Sequence, residues 1–206
     1  MGSRLSVCVD APTREQALQA SERAIVAIEA VERRLSTWST ESELARFNRA
    51  PSGTRVAVSP ELARDLRLAR ECTLATAGTF DAGIGALMKV WDLRGVGRIA
   101  DDLEVREALR CGGLIGGLEL GDGWASRRCD SLLVEEGGFG KGLGLAEALR
   151  ALRDAGALGA VLDFGGQVAT LGTHSTTWGI ADPRDRGRAL LSARLDTGSY
   201  STSCNS

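Results

Sequence analysis

The groups in this chain best suited to chemistry sit among clustered glycines. The densest case is the run Ser131–Leu152, SLLVEEGGFGKGLGLAEALRAL. There an apolar stretch meets two carboxylates, Glu135 and Glu136, then a glycine-rich turn carrying Lys141, then a helical pattern. Unpaired N–H groups at a helix start, with glycines that let the backbone approach closely, favour a phosphate or another anion. A tight structural turn is the other reading of the same residues. The run is not a P-loop, because Gly142 follows Lys141 where a P-loop needs Ser or Thr, and the Rossmann glycine register is also missing. Adjacent strand residues face opposite ways, so only one of Glu135 and Glu136 is expected to face a site.

Other segments offer single groups. TFDAGIG, Thr79–Gly85, places the Asp81 carboxylate in a glycine-flanked loop, where it can cap a helix or meet a ligand. Trp38, in a polar Ser/Thr loop, reads either as a stacking platform or as a core or hinge tryptophan. Gly165-Gly166 between two apolar runs marks a bulge or a close approach to a flat group. His174 lies in a turn-like stretch with no partner nearby in sequence and is assigned no catalytic role.

Composition limits what these groups can be part of. The chain has 206 residues, a formal charge of −2, and 25% charged and 43% hydrophobic residues, which is the profile of a globular chain; its 26 glycines are about twice the usual share. It has no overall positive field to draw nucleic acid or anionic lipid. A single histidine excludes any multi-histidine zinc site. The five cysteines, Cys8, Cys72, Cys111, Cys129 and Cys204, are widely spaced without a CxxC pair, so reduced thiols are expected rather than a disulfide framework. No apolar window is long enough for a membrane span, and no export signal is visible. The expected location is therefore cytoplasmic, or a leader has been removed.

The positioning elements follow from periodicity. Arg4–Val9 alternates as a strand, and Thr13–Leu35 carries a helical stripe of Ala17, Ala24, Ile28, Val31 and Leu35. Ser42 can cap a short helix before Arg49, and Ser59-Pro60-Glu61 is a strong helix start for a stripe of Leu62, Leu66, Ala69 and Cys72 ending at Gly78. Thr79–Trp91 shows no clear period, Leu103–Leu109 reads as a charged helix, and Gly112–Gly123 is a glycine-rich stretch without a firm assignment. Further expectations are a strand at Asp130–Glu135, a turn at Gly137–Gly142 and a helix at Leu143–Arg153 closed by Gly156. Strands are expected at Ala160–Phe164, Gln167–Leu171, Thr177–Ile180, Leu190–Asp196 and Ser199–Ser203. Strands and helices without strict alternation predict an α+β fold in one compact domain.

The order of these blocks is more specific than any one of them. MGS, LSTWSTESELARFN, AGTFDAGIGALMKVWD, VEEGGFGKG, LDFGGQVATLG, WGIADPRD and YSTSCNS together resemble the FAD:protein FMN transferase (ApbE-type flavin transferase) family along essentially the whole chain. The resemblance implies a single ApbE-like, T-fold-related domain, with a mixed sheet and packed helices. It implies an enzyme that uses FAD and Mg²⁺ to move FMN onto a threonine of an acceptor protein, releasing AMP. The family's FAD-contacting methionine falls on Met1, its aromatic flavin contact on Trp38, and its FD segment on Thr79, Phe80 and Asp81. Its turn-opening aspartate corresponds to Glu135, its metal ligand to Gly138 (through a carbonyl), and its FAD-contacting lysine to Lys141. SELARFN places Asn48 near the flavin pocket. The family's TSG motif appears as Thr202-Ser203-Cys204, and the family's later histidine-bearing and DxxxT segments have no counterpart before Ser206. A C-terminally shortened member is therefore expected. The alternative is a catalytically inactive FAD-binding member or a truncated fragment.

Overall fold

The computed structural model describes residues 3–172 and 176–203. Met1, His174 and Cys204 lie outside the described residues. The chain divides into two compact units, Met1–Ala30 with Lys141–Ser206, and Val31–Gly140.

The first unit is built on a four-stranded antiparallel sheet. Its strands are β1 (Leu5–Asp10), β5 (Gly159–Phe164), β6 (Gln167–Leu171) and β9 (Gly198–Ser201), in that spatial order. β5 pairs with β1 through Leu5↔Phe164 and with β6 through Phe164↔Gln167. Alternation sends Ala160, Leu162 and Phe164 to one face of β5. There they meet Ala20, Ala24 and Ile28 of helix α1 (Arg14–Leu35) and Leu145, Ala148 and Leu152 of helix α7 (Gly140–Asp154). Spacings of four in α1, and of three and four in α7, keep these side chains on one stripe. A separate hairpin, β7 (Thr176–Asp182) with β8 (Asp185–Leu195), completes the unit.

Gly165-Gly166 is a turn, not a bulge. Both residues have positive φ, 59° and 83°, and they form the two-residue turn of the β5–β6 hairpin. Only glycine takes two successive left-handed positions at no steric cost, and such a turn matches the strand twist.

The second unit contains a three-stranded sheet ordered β2 (Val56–Ala57), β4 (Trp124–Arg127), β3 (Leu118–Leu120). Around it lie α2 (Glu43–Arg49), α3 (Pro60–Ala75), α4 (Gly85–Val90), α5 (Asp102–Leu109) and the short α6 (Gly113–Gly117). Both expected caps form: the Ser42 hydroxyl accepts from Ala45 N, and the Ser59 hydroxyl accepts from Leu62 N behind Pro60. Leu35, Leu44, Phe47, Leu62, Leu66, Leu114, Leu132 and Val134 are fully buried here. Among these helices lies a deep ion pair, Arg34 to Asp65 at 2.7 Å.

Three expectations need correction. Cys111 and Cys129 form a disulfide across an 18-residue separation, against the reading of reduced thiols; Cys8 and Cys72 are free and exposed. Cys72 thus leaves the buried stripe of α3, and Thr73 fills the interior instead. Asp130–Glu135 is not a strand: it makes only an isolated parallel bridge, Ile84↔Leu133. α4, α6, β3 and β4 arise where no period was visible. Among the described residues, no helix is long and apolar enough to cross a membrane.

Candidate functional site

The extended segment Leu133–Glu136 organises the second unit's site, and other segments hold it in place of a sheet. The Asn48 side chain grips both backbone polar groups of Val134: Nδ2 donates to Val134 O at 2.8 Å, and Val134 N donates to Oδ1 at 2.9 Å. From the opposite side Gly85 N donates to Leu133 O at 2.8 Å, and Glu135 N donates to Ala82 O at 2.8 Å. Gly85 is required for this approach, because a Cβ there would lie 2.7 Å from Leu133 Cβ and 2.8 Å from its carbonyl oxygen. Arg127 secures the entry to the segment, donating to Leu132 O at 2.8 Å and to Asp130 O at 3.2 Å. Burial lowers the pKa of this guanidinium.

This anchoring brings both acidic side chains to one hydroxyl. Thr37 Oγ1 lies 2.5 Å from Glu136 Oε2 and 3.1 Å from Glu135 Oε2. The expectation that adjacent residues face apart fails because the segment lacks the regular strand pleat on which it depends. Glu136 is only 4% exposed, and its carboxylate pairs with no cation among the described residues. Glu135 is paired, with Arg94 Nη2 at 2.5 Å from its Oε2. Arg94 also donates to Thr37 O at 3.1 Å and to the Thr37 hydroxyl. Its guanidinium carbon lies 4.4 Å from the ring centroid of Trp38. Trp38 is 69% exposed, which removes the core reading and leaves an available aromatic surface.

Two cavities share Glu135. One, of about 190 Å³, is lined by residues including Thr37, Asn48, Arg49, Lys89 and Arg94. The other, of about 380 Å³, is lined by Thr79, Phe80, Asp81, Met88, Gly137 and Gly138 among others. Sequence reasoning thus named four residues that the fold gathers at the second cavity together with Glu135. It missed Thr37, Arg94 and Glu136's convergence on the same hydroxyl. Arg94 carried no local signal, since its partners lie 41 to 57 residues away.

Asp81 has a specific structural task. Its carboxylate accepts from Gly83 N at 2.7 Å and from Leu114 N at 3.1 Å, so it caps the start of α6 from 33 residues away. Gly138 stands against the Phe80 ring, and a Cβ there would meet Phe80 Cε2 at 2.9 Å. Lys141 belongs to the first unit, in the first turn of α7, where Nζ lies 3.4 Å from Gly165 O. The helix begins three residues before the sequence pattern suggests, so Lys141 and Gly142 are helical rather than part of the turn.

The donor set suits Mg²⁺ in part. No group of three or more His, Cys, Asp or Glu side chains converges among the described residues. Mg²⁺ does not require one, since it is commonly held by one or two carboxylates with waters and substrate phosphates. Glu135 and Glu136 are hard oxygen donors on one short segment, and the buried Glu136 carboxyl pairs with no cation among the described residues. That part of the set fits a magnesium ion completed by a phosphate ligand.

An α+β chain whose sheets and helices are arranged in this way has the fold of the ApbE flavin transferases. The ApbE protein of Thermotoga maritima MSB8 matches with a TM-score of 0.86 at 20% identity, over 96% of this chain and 66% of that one. The flavinyl transferase ApbE of Pseudomonas stutzeri, in its apo form, matches at 0.80 and 17% identity, over 96% and 63%. The flavin transferase ApbE of Vibrio cholerae matches at 0.79 and 22% identity, over 95% and 65%. This chain therefore spans about two thirds of the length of these structures. No curated protein sequence matches it. The ApbE family model matches residues 1–206, and the chain belongs to the ApbE family.

Proposed function

We propose that this chain acts in FAD:protein FMN transfer, moving the FMN half of FAD onto a threonine hydroxyl of a target protein and releasing AMP. The family match over residues 1–206 carries this reading. In the reaction the acceptor oxygen bonds to the FMN phosphorus, and the bridging P–O bond to AMP breaks. The acceptor hydroxyl proton leaves as AMP departs.

In this reading Trp38 supplies a stacking surface for the flavin ring, and a ring-on-ring contact suits its exposure. Thr79, Phe80 and Asp81 line the part of the site that takes the rest of the dinucleotide, with Glu135 at its edge. Lys141 and Met1 are the further FAD contacts that family membership suggests. Glu135, Glu136 and the Gly138 carbonyl are the groups that would hold Mg²⁺, which supplies neutralisation of the pyrophosphate oxygens. The protein's own part is to bind and orient: phosphoryl transfer asks mainly for positioning and charge stabilisation.

The test is to incubate the purified chain with FAD, Mg²⁺ and a threonine-containing acceptor, and to follow acceptor flavinylation and AMP. Both should appear together and both should stop with EDTA. Absence of both with the metal present removes the transferase reading for this chain.

A second reading, FAD binding without transfer, draws on the Glu135–Arg94 ion pair, which occupies one of the two carboxylates that would hold the metal. It expects FAD to bind indifferently to EDTA and to be recovered intact.

A further inference from the structure

We infer that Arg94 is a positioning residue for ring binding: it presets the Trp38 indole and holds Glu135 beside it. The inference rests on the reading of Trp38 as the flavin platform and adds a residue to that site.

The geometry is a chain of contacts from a rigid anchor to an exposed ring. Arg94 stands in a compact loop after α4, in which Gly95 N and Gly97 N donate to Asp92 O at 3.0 and 3.1 Å, and Val96 N donates to Asp92 Oδ2 at 3.1 Å. Arg98 N closes the loop on Trp91 O at 2.9 Å, and the Arg98 guanidinium is forked onto Glu104 at 2.6 and 2.8 Å. From that base Arg94 reaches Thr37 O at 3.1 Å, the Thr37 hydroxyl, and Glu135 Oε2 at 2.5 Å. Those acceptors hold the guanidinium in place, with its central carbon over the Trp38 ring, 4.4 Å from the ring centroid.

An exposed tryptophan would otherwise sample several rotamers, and a ligand ring would have to order it on binding. Here one face is covered by a planar cation while 69% of the residue remains exposed, which leaves surface for a second ring. Lysine could supply charge to Glu135 but not a planar fork that serves three acceptors and a ring together. A flavin ring is the ligand group that would register the difference, whereas an adenylate without the ring would not.

The experiment uses riboflavin, a ring without phosphate, and AMP, an adenylate without that ring. Riboflavin binding is read by its own fluorescence and AMP binding by calorimetry, on the parent chain and on Arg94→Ala, Arg94→Lys and Trp38→Ala. Thermal unfolding checks the fold of each variant. Arg94→Ala should weaken riboflavin about two- to fivefold, in line with the loss of a solvent-exposed cation–π contact and its preordering. Arg94→Lys should fall between Ala and the parent, and AMP affinity should not move. Riboflavin binding to Arg94→Ala at parental strength, or an equal loss of riboflavin and AMP, overturns the inference. If the Ala variant does not fold, the Lys variant carries the test, and parental riboflavin affinity in it counts against the inference. Trp38→Ala separates the two levels. If that variant keeps riboflavin, or the parent never binds it, the platform reading falls and takes this inference with it. If Trp38→Ala loses riboflavin and Arg94→Ala does not, only the inference falls.

Discussion

Asp81 shows how one side chain can sit at a candidate ligand site and also hold the fold. It lines the larger cavity, yet its carboxylate accepts hydrogen bonds from Gly83 N and Leu114 N. Removing it leaves those N–H groups without their acceptor, so Asp81→Ala should cost about 1–3 kcal/mol. Urea unfolding should show this as a lower midpoint at an unchanged slope. A loss of FAD affinity in that variant is interpretable only beside this measurement. Gly138→Ala is milder in kind. The new methyl meets only the rim of Phe80, 2.9 Å from Cε2, so the ring swings and the fold survives. Asp81 was legible in sequence as a cap or a ligand contact, but the helix that it caps was not. That helix is five glycine-rich residues with no apolar period.

At the scale of elements, local chemistry decides the starts of helices. α5 carries a complete capping box: Asp101 accepts from Leu103 N and Glu104 N, and Glu104 reaches back to Asp101 N at 3.0 Å. The hydrogen bond from Arg98 first, then the one from Asp101 N, holds the Glu104 carboxyl at about 2, below its ordinary value of 4.5. A depressed folded-state pKa gives a contribution that is present above the ordinary value and lost as pH falls through the folded one. The Glu104 contacts should therefore persist at pH 5 and be lost progressively from pH 4.5 to about 2. Carboxyl-carbon NMR should place the Glu104 titration near 2, and Arg98→Ala should move it upward. The Cys111–Cys129 link closes a loop that spans α6, β3 and β4. Cross-links of that length commonly stabilise by about 2–4 kcal/mol, so dithiothreitol or Cys129→Ser should lower the unfolding midpoint measurably. The pairing was not legible because only folding brings residues 18 apart within 6.0 Å at Cα.

At the scale of the whole molecule, each unit closes its own core, and in the first unit the helices pack on the β5 face. Leu162 is fully buried, at 0% accessibility, in the cluster it shares with α1 and α7. Leu162→Ala should cost about 2–5 kcal/mol, and calorimetry of the intact chain should show the loss as a lower transition temperature. By itself the sequence determined the α+β class, the helices opened by Ser42 and Ser59-Pro60, the strands at 160–164 and 167–171, and family membership through the order of its blocks. Those features rest on periodicity and on caps within a few residues, which are local. Only the tertiary structure decided that Leu133–Glu136 is clamped by Asn48 and by the loop at 82–85 instead of joining a sheet. The same clamp turns Glu135 and Glu136 to one threonine, and Arg94 reaches Trp38 across 56 residues of chain. Contacts of that separation come from loop closure and packing, and no short window of sequence records them.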